Sequence, residues 1–178
     1  MREVGEVAVG ARRAGVVGGV RRGNVVIRRA EERDAGRLTR LVRRSRAYEG
    51  RYSSMVEGYR VGPDYILAHR VFVAVEELPG EEGGGERVVG FYSLMVAPAE
   101  LDLMFVSDQA QGYGIGRRLV EHMLGEARSA GIGKVRVVSH PPAEGFYRSV
   151  GARLAGTVPA DPPAVRWDRP ELEFVVVD

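Results

Sequence analysis

The segment Gln111-Gly112-Tyr113-Gly114-Ile115-Gly116 concentrates the chemistry of this sequence. Three glycines at alternate positions remove β-carbons where a chain must bring several N–H groups close to one ligand. Ile115, Leu119, Val120, Met123, Leu124 and Ala127 then follow at helical spacing, so the turn opens an amphipathic helix. A helix N-terminus presents free N–H groups and the positive end of the macrodipole, which suits an anion such as a pyrophosphate. Spacing narrows the ligand. A dinucleotide fingerprint starting at Gly112 requires Gly or Ala where Arg117 stands, and one starting at Gly114 requires it where Leu119 stands. The lysine and hydroxyl of a P-loop are missing, because Arg117 and Arg118 follow the last glycine. As bare glycine content, the segment fits a tight turn as well as a binding loop.

Composition removes other chemistries. The 178 residues include no cysteine, which excludes disulfides, thiolate zinc sites and thiol nucleophiles. Only His69, His122 and His140 are present, too few to suggest a multi-histidine metal centre, and no metal is expected. The net charge of +2 is unevenly spread: residues 1–46 hold 13 arginines against 5 acids. That asymmetry can mark a nucleic-acid partner. Arginine bias, with Lys134 the only lysine, or a phosphate-bearing cofactor is the preferred reading. No window reaches the 18 or so apolar residues of a membrane span, and Arg12 and Arg13 interrupt any signal-like stretch, so a cytoplasmic location is expected.

The elements that must position the turn read as follows. Residues 1–23, rich in Gly, Val and Arg, are expected to be a loosely ordered extension, with one domain over 24–178. Val25–Arg28 predicts a strand, and Arg33–Ala47 a helix with Leu38, Leu41 and Val42 on one stripe. A second helical region, broken by Gly58 and Pro63, spans about Ser53–His69. Val71–Glu76 and Val88–Met95 predict strands around an exposed loop. Ala99–Val106 predicts another, with Leu101, Leu103 and Phe105 alternating against Glu100, Asp102 and Met104. After the long helix, Val135–Ser139 predicts a strand, Ala143–Val150 a short helix and Glu171–Val177 a last strand. Interleaved strands and helices around one sheet make the class α/β with a mixed sheet.

Two motifs in order carry a resemblance. Gln111–Gly116, downstream of Val106, resembles the Q/R-x-x-G-x-G/A signature of the GCN5-related N-acetyltransferase (GNAT) superfamily. Ala143-Glu144-Gly145-Phe146-Tyr147-Arg148-Ser149-Val150-Gly151 resembles that family's A-x-x-F-Y-x-x-x-G segment. The likeness covers about Val25 to Val177. It departs at Asp108, where a proline is usual, and at Pro141-Pro142, in place of a common asparagine. The implied fold is a mostly antiparallel mixed sheet with helices on both faces, splayed between the fourth and fifth strands. The implied donor is acetyl-CoA, its pyrophosphate on the N–H groups of Gln111, Gly112, Tyr113, Gly114, Ile115 and Gly116. Its pantetheine arm would lie along the splayed edge at Phe105–Val106, where a free N–H would stabilise the oxyanion. Arg117 and Arg118 would either assist the phosphates or form a solvated helix face.

The acceptor poses the energetic problem. An amine with the pKa of lysine is about a thousandth neutral at pH 7, roughly 4 kcal/mol uphill. A carboxylate can take that proton. Glu100 is the preferred base, with Asp102 beside it and His140 as a further alternative; each also fits a structural role. By resemblance Tyr147 would return a proton to the departing thiolate. Tyr48–Tyr59 and Trp167-Asp168 would line the acceptor side. The implied activity is transfer of an acetyl group to a small primary amine; the rivals are a protein N-terminus or lysine as acceptor, and a non-catalytic CoA-binding module. The resemblance leaves open a homodimer through the last strands.

Overall fold

The computed structural model describes residues 24–79 and 85–177. The expected extension 1–23 and the middle of the expected 78–87 loop lie outside them. Seven strands are described: β1 (Val25–Arg29), β2 (Arg70–Leu78), β3 (Gly85–Val96), β4 (Ala99–Val106), β5 (Lys134–Val138), β6 (Arg153–Val158) and β7 (Arg169–Val175). They form one sheet in the order β1-β2-β3-β4-β5-β7-β6. Every neighbouring pair is antiparallel except β4–β5, which is parallel and in register only at Glu100 and Arg136. The mixed, splayed sheet expected from the resemblance is therefore present.

Helices cover both faces. α1 (Ala35–Arg43) and α2 (Pro63–Ala68) bury Leu38, Val42 and Ile66 against Val71, Val73, Phe91, Leu103 and Phe105. α3 (Ile115–Ser129) and α4 (Glu144–Ser149) pack Leu119, Val120, Met123, Ala127 and Tyr147 over Leu101, Met104, Val106, Leu172 and Phe174. The apolar stripe read for α3 is its buried face, with Leu124 at the margin. Gly131 ends it at φ +71°, the left-handed conformation that suits a helix C-terminus.

Three departures have physical causes. α1 stops at Arg43 rather than Ala47, because the chain turns through Arg46–Tyr48 to lay Tyr48 into the core. The second helical region resolves into a 3₁₀ segment, Gly50–Met55, and α2, which begins at Pro63 where no N–H is needed. β6 was not anticipated: its residues are half-buried or exposed, and an edge strand carries no apolar run to announce it.

A fourth departure bears on the site. The β3–β4 register slips between Ser93 and Leu94, so that Ser93 faces Leu103 while Leu94 faces Leu101. Asp102 is the extra residue of this β-bulge. The expected alternation is broken there: Leu101 joins Met104 and Val106 on the α3 face, whereas Leu103 and Phe105 lie on the α1–α2 face. Bulges re-aim side chains in this way.

The β1–α1 junction is held by a buried charge. Asp34 is fully buried and receives Arg28 in a two-pronged contact of 2.9 and 3.2 Å, together with the Glu31 N–H at 2.9 Å. Burial alone would raise the Asp34 pKa; the hydrogen bonds from Arg28 and Glu31 and the charges of Arg28 and Arg37 more than reverse it, holding it below the usual range. A depressed carboxylate stabilises the fold above its unfolded pKa, near 4, and loses that contribution as pH falls through the folded value. Arg28→Ala should therefore cost on the order of 3 kcal/mol near neutrality in urea unfolding, and the gap from wild type should close below about pH 4. A gap that persists in acid would dismiss the ion pair as its cause.

Candidate active site

The turn between β4 and α3 is built by two glycines and one side chain. Gly112 and Gly114 adopt φ of +81° and +79°, a region that side chains with a β-carbon rarely enter. Gln111 closes the turn with its side chain, Nε2 donating to Val106 O and to Asp108 Oδ1, each at 3.3 Å. Asp108, the residue in place of proline, also accepts the Arg46 N–H at 3.4 Å, so one carboxylate joins the turn to the segment after α1. Burial pushes its pKa up, with the Arg46 N–H and charge acting against it.

Gly116 has a packing task as well. A β-carbon there would stand 3.0 Å from the Phe146 ring, so the missing β-carbon also admits α4 against α3. The N–H groups that do lie bare begin at the exposed Gly112 and Gly114. They continue into the first turn of α3, where Ile115, Gly116 and Arg117 precede the first helical donor, Arg118 N–H to Gly114 O at 3.2 Å. No side chain caps this helix. Its fifteen residues place a full macrodipole behind those donors. Arg117 is exposed at the same end and reaches Ser149 O at 3.4 Å, whereas Arg118 donates to Val25 O at 2.7 Å and tethers β1.

The splay supplies a second set of donors. Ser107 N–H bonds Val89 O at 2.8 Å on the β3 side. Strand alternation then turns the N–H of Val106 and of Met104 away from β3, into the gap toward β5. Phe105, named with Val106 from the sequence, directs its own N–H to β3 and contributes its ring, stacked on Phe91 and Tyr48 at 5.7 and 5.8 Å.

Beyond the gap, His140 is fully buried at the end of β5. Its Nε2 lies 2.9 Å from Ala47 O; a carbonyl can only accept, so that nitrogen carries the proton. The ring stacks on Tyr48 at 4.5 Å and meets the edge of Tyr52, which in turn meets Trp167 at 4.6 Å. The histidine thus fastens the 46–55 segment over the splay. Asp168 accepts the Ala160 N–H at 2.9 Å and closes its own loop, so of the expected acceptor-side pair only Trp167 joins this cluster. Pro141 and Pro142 pre-shape the turn Pro141–Ala143 that launches α4.

Tyr147 of α4 is fully buried, its ring edge-on to Phe146 and Phe174 at 5.2 and 6.3 Å. Its hydroxyl has no hydrogen-bond partner among the described residues. Burial drives the phenol pKa well above normal, so the proton stays on and the group can only donate or wait for an acceptor.

The two carboxylates of β4 part company. Glu100, the preferred base from the sequence, stands where β4 and β5 remain in register and is paired with Arg136 at 2.8 Å; Arg136 also holds Glu171. It lies six residues before Val106, roughly 20 Å along an extended strand. Asp102 is nine-tenths buried on the α1–α2 face. It accepts a hydrogen bond from Tyr65, whose hydroxyl is 2.8 Å from Ser93 Oγ. Burial and then the charge of Asp102 push the pKa values of Tyr65 and Tyr59 above the phenol range. Tyr59 also lines a cavity of about 10 Å³ with Val42, Tyr48, Met55, Val56, Leu103 and Phe105. Tyr65 and Ser93 escaped the sequence reading. The one available signal was a serine inside the apolar run Gly90-Phe91-Tyr92-Ser93-Leu94-Met95. Among the described residues no His, Cys, Asp and Glu cluster could hold a metal ion, and no helix is long and apolar enough to cross a membrane.

Residues 81–157 match the family model described as an acetyltransferase (GNAT) domain. The structure is similar to a GCN5-related N-acetyltransferase from Rhodopseudomonas palustris (TM-score 0.65, 14% identity, covering 92% of this chain and 99% of that one). It is also similar to a GNAT superfamily phosphinothricin acetyltransferase from Sinorhizobium meliloti, solved with acetyl-CoA (TM-score 0.61, 20% identity, 86% and 89% covered). A putative acetyltransferase from Salmonella typhimurium, solved with its cofactor acetyl-CoA, is similar as well (TM-score 0.58, 19% identity, 87% and 95% covered). No curated protein matches the sequence. The chain therefore has the fold of the GNAT proteins it resembles, and residues 81–157 are similar to that family's domain.

The packing of Gly116 makes a measurable claim. Gly116→Val should lower stability by about 1–3 kcal/mol through overlap with Phe146, whereas the same change at the open Gly125 of α3 should leave it within about 1 kcal/mol. Equal urea midpoints for the two variants would show that Phe146 does not need the space.

Proposed function

We propose that this protein is an acetyl-CoA-dependent N-acetyltransferase acting on a small primary amine. The bare N–H groups of Gly112, Gly114 and the first turn of α3 carry the reading, because such an array fits a diphosphate. Val106 N–H, turned into the splay, fits the carbonyl of the acyl group. The Tyr147 hydroxyl, without a partner among the described residues, fits a sulfur or oxygen acceptor on a ligand.

Acetyl-CoA would supply an activated acyl group as a thioester. Gly112, Tyr113, Gly114, Ile115 and Gly116 would hold the phosphates by their N–H groups, Gln111 would brace the turn, and Arg117 would add charge. Tyr147, kept protonated by burial, would give its proton to the departing thiolate. Asp102 would draw the proton from the acceptor nitrogen; Glu100, committed to Arg136, would serve the sheet. A small acceptor is favoured because Tyr52, held by His140 and Trp167, crowds the splay. A homodimer through the last strands belongs to this reading, with Leu154 of β6 and Val175 of β7 exposed at that edge.

Acetyl-CoA should raise the melting temperature of the protein, and a panel of amines assayed by thiol release should reveal at least one acceptor. Tyr147→Phe should lower kcat about 10²-fold or more while leaving the acetyl-CoA-induced shift in place. Stabilisation without release from any amine would favour a CoA-binding module; neither would defeat the proposal. Gly114→Val should weaken acetyl-CoA binding at least tenfold, by straining the positive-φ turn that aims the N–H groups.

A further inference from the structure

Asp102 occupies a built environment that the glycine turn and Tyr147 do not explain. A carboxylate nine-tenths buried in a sheet is driven toward its neutral form unless donors compensate. One such donor comes from a residue 37 positions away, Tyr65 of α2. Ser93, fully buried on β3, stands 2.8 Å from the Tyr65 hydroxyl and can donate to it, which leaves the phenol proton directed at Asp102. Three elements thus converge on one acid.

Geometry ties this acid to the acceptor side. The bulge turns Asp102 to the α1–α2 face, and Leu103 and Phe105 continue along the same face. Those two residues and Tyr59 are among the walls of the small, mainly apolar 10 Å³ cavity on this face. Phe105 adjoins Val106, whose N–H faces the splay. Among the groups that face Asp102 are Tyr65 from α2 and Tyr59 from the segment before α2, with the neutral Ser93 of β3 behind Tyr65. Arg136 of β5 is engaged by Glu100 and Glu171.

We propose that Tyr65 is the positioning residue of the acceptor site, its hydroxyl orienting Asp102 and keeping that carboxylate ionised to take a proton from the incoming ammonium. This rests on the acetyltransferase reading. The proton moves from the ammonium nitrogen to a carboxylate oxygen of Asp102. The nitrogen keeps its electron pair for attack, and Asp102 later returns the proton to solvent. Tyr65 keeps its own proton throughout, since burial and the adjacent negative charge both oppose its loss. It acts as a donor, not as an acid or a base.

A purely structural role, pinning α2 to the sheet, makes a different forecast. Tyr65→Phe retains the ring and removes only the donor. Loss of a donor to a carboxylate raises its pKa. The acid limb of kcat/KM for the amine should therefore move up by about one pH unit, a roughly tenfold loss on the acid side that recovers at the alkaline plateau. KM for acetyl-CoA should not change. Ser93→Ala should move the limb in the same direction by less, and Asp102→Asn should depress kcat across the whole range about 10²-fold. A Tyr65→Phe variant that melts earlier but keeps the wild-type pH profile would overturn the proposal and leave α2 anchoring as its role. Carbonyl-¹³C NMR of aspartate-labelled protein, titrated without substrate, reads the same effect independently of turnover: the Asp102 resonance should titrate higher in the variant, and an unmoved resonance would also overturn it. If wild-type protein transfers acetyl to no amine while that resonance does move, the acetyltransferase reading fails and the grip of Tyr65 on Asp102 stands apart from it.

Discussion

β4 and β5 share a single in-register pair and then diverge, and the divergence leaves the β4 edge with hydrogen-bonding groups that no strand uses. Unpaired backbone in a sheet interior is costly, so a fold that tolerates it must shield the gap or reserve it for a ligand. Both occur here. Gln111 reaches back to the Val106 carbonyl, the 46–55 segment crosses above through Tyr48 and Tyr52, and the Val106 N–H remains directed into the opening. Proximity of the splay to the N-terminus of α3 then follows from chain connectivity, because β4 feeds the turn that starts that helix.

The two faces of the sheet divide the chemistry. On the α3–α4 face lie the donors suited to phosphate and the buried phenol of Tyr147. On the α1–α2 face lies the buried acid Asp102 with its phenol partners. The β-bulge is what permits this division, since a regular β4 would have put Asp102 and Leu103 on opposite sides. Asp108 links the two faces through Gln111 on one side and Arg46 on the other. Charge within the core is thus confined to a few paired groups, Asp34 with Arg28 and Asp102 with Tyr65 among them.

Much of this was legible before any fold was known. The amphipathic period of α3, the β-branched strands and the positive-φ glycines express preferences of the local chain, and they appear where the residue pattern put them. The motif containing Tyr147 was legible by resemblance. The sequence had no means of separating Glu100 from Asp102: two acids on one face of an ideal strand look equivalent, and only the structure shows that Glu100 is paired with Arg136. Tyr65 was invisible because its bond to Asp102 spans 37 residues and leaves no periodic trace.

By itself the sequence determined the turn with its left-handed glycines, the helix that follows and the order of strands around it, because backbone dihedral limits and hydrophobic period act over a few residues. Tertiary structure alone decided that Gly116 makes room for Phe146, that Val106 rather than Phe105 offers its N–H to the splay, that Asp102 is the enclosed acid, and that β6 closes the sheet. Each of those outcomes depends on which distant segment arrives alongside, through a register shift, a ring against a missing β-carbon or a hydroxyl meeting a carboxylate. Packing between remote parts of the chain sets such things, and no local preference encodes them.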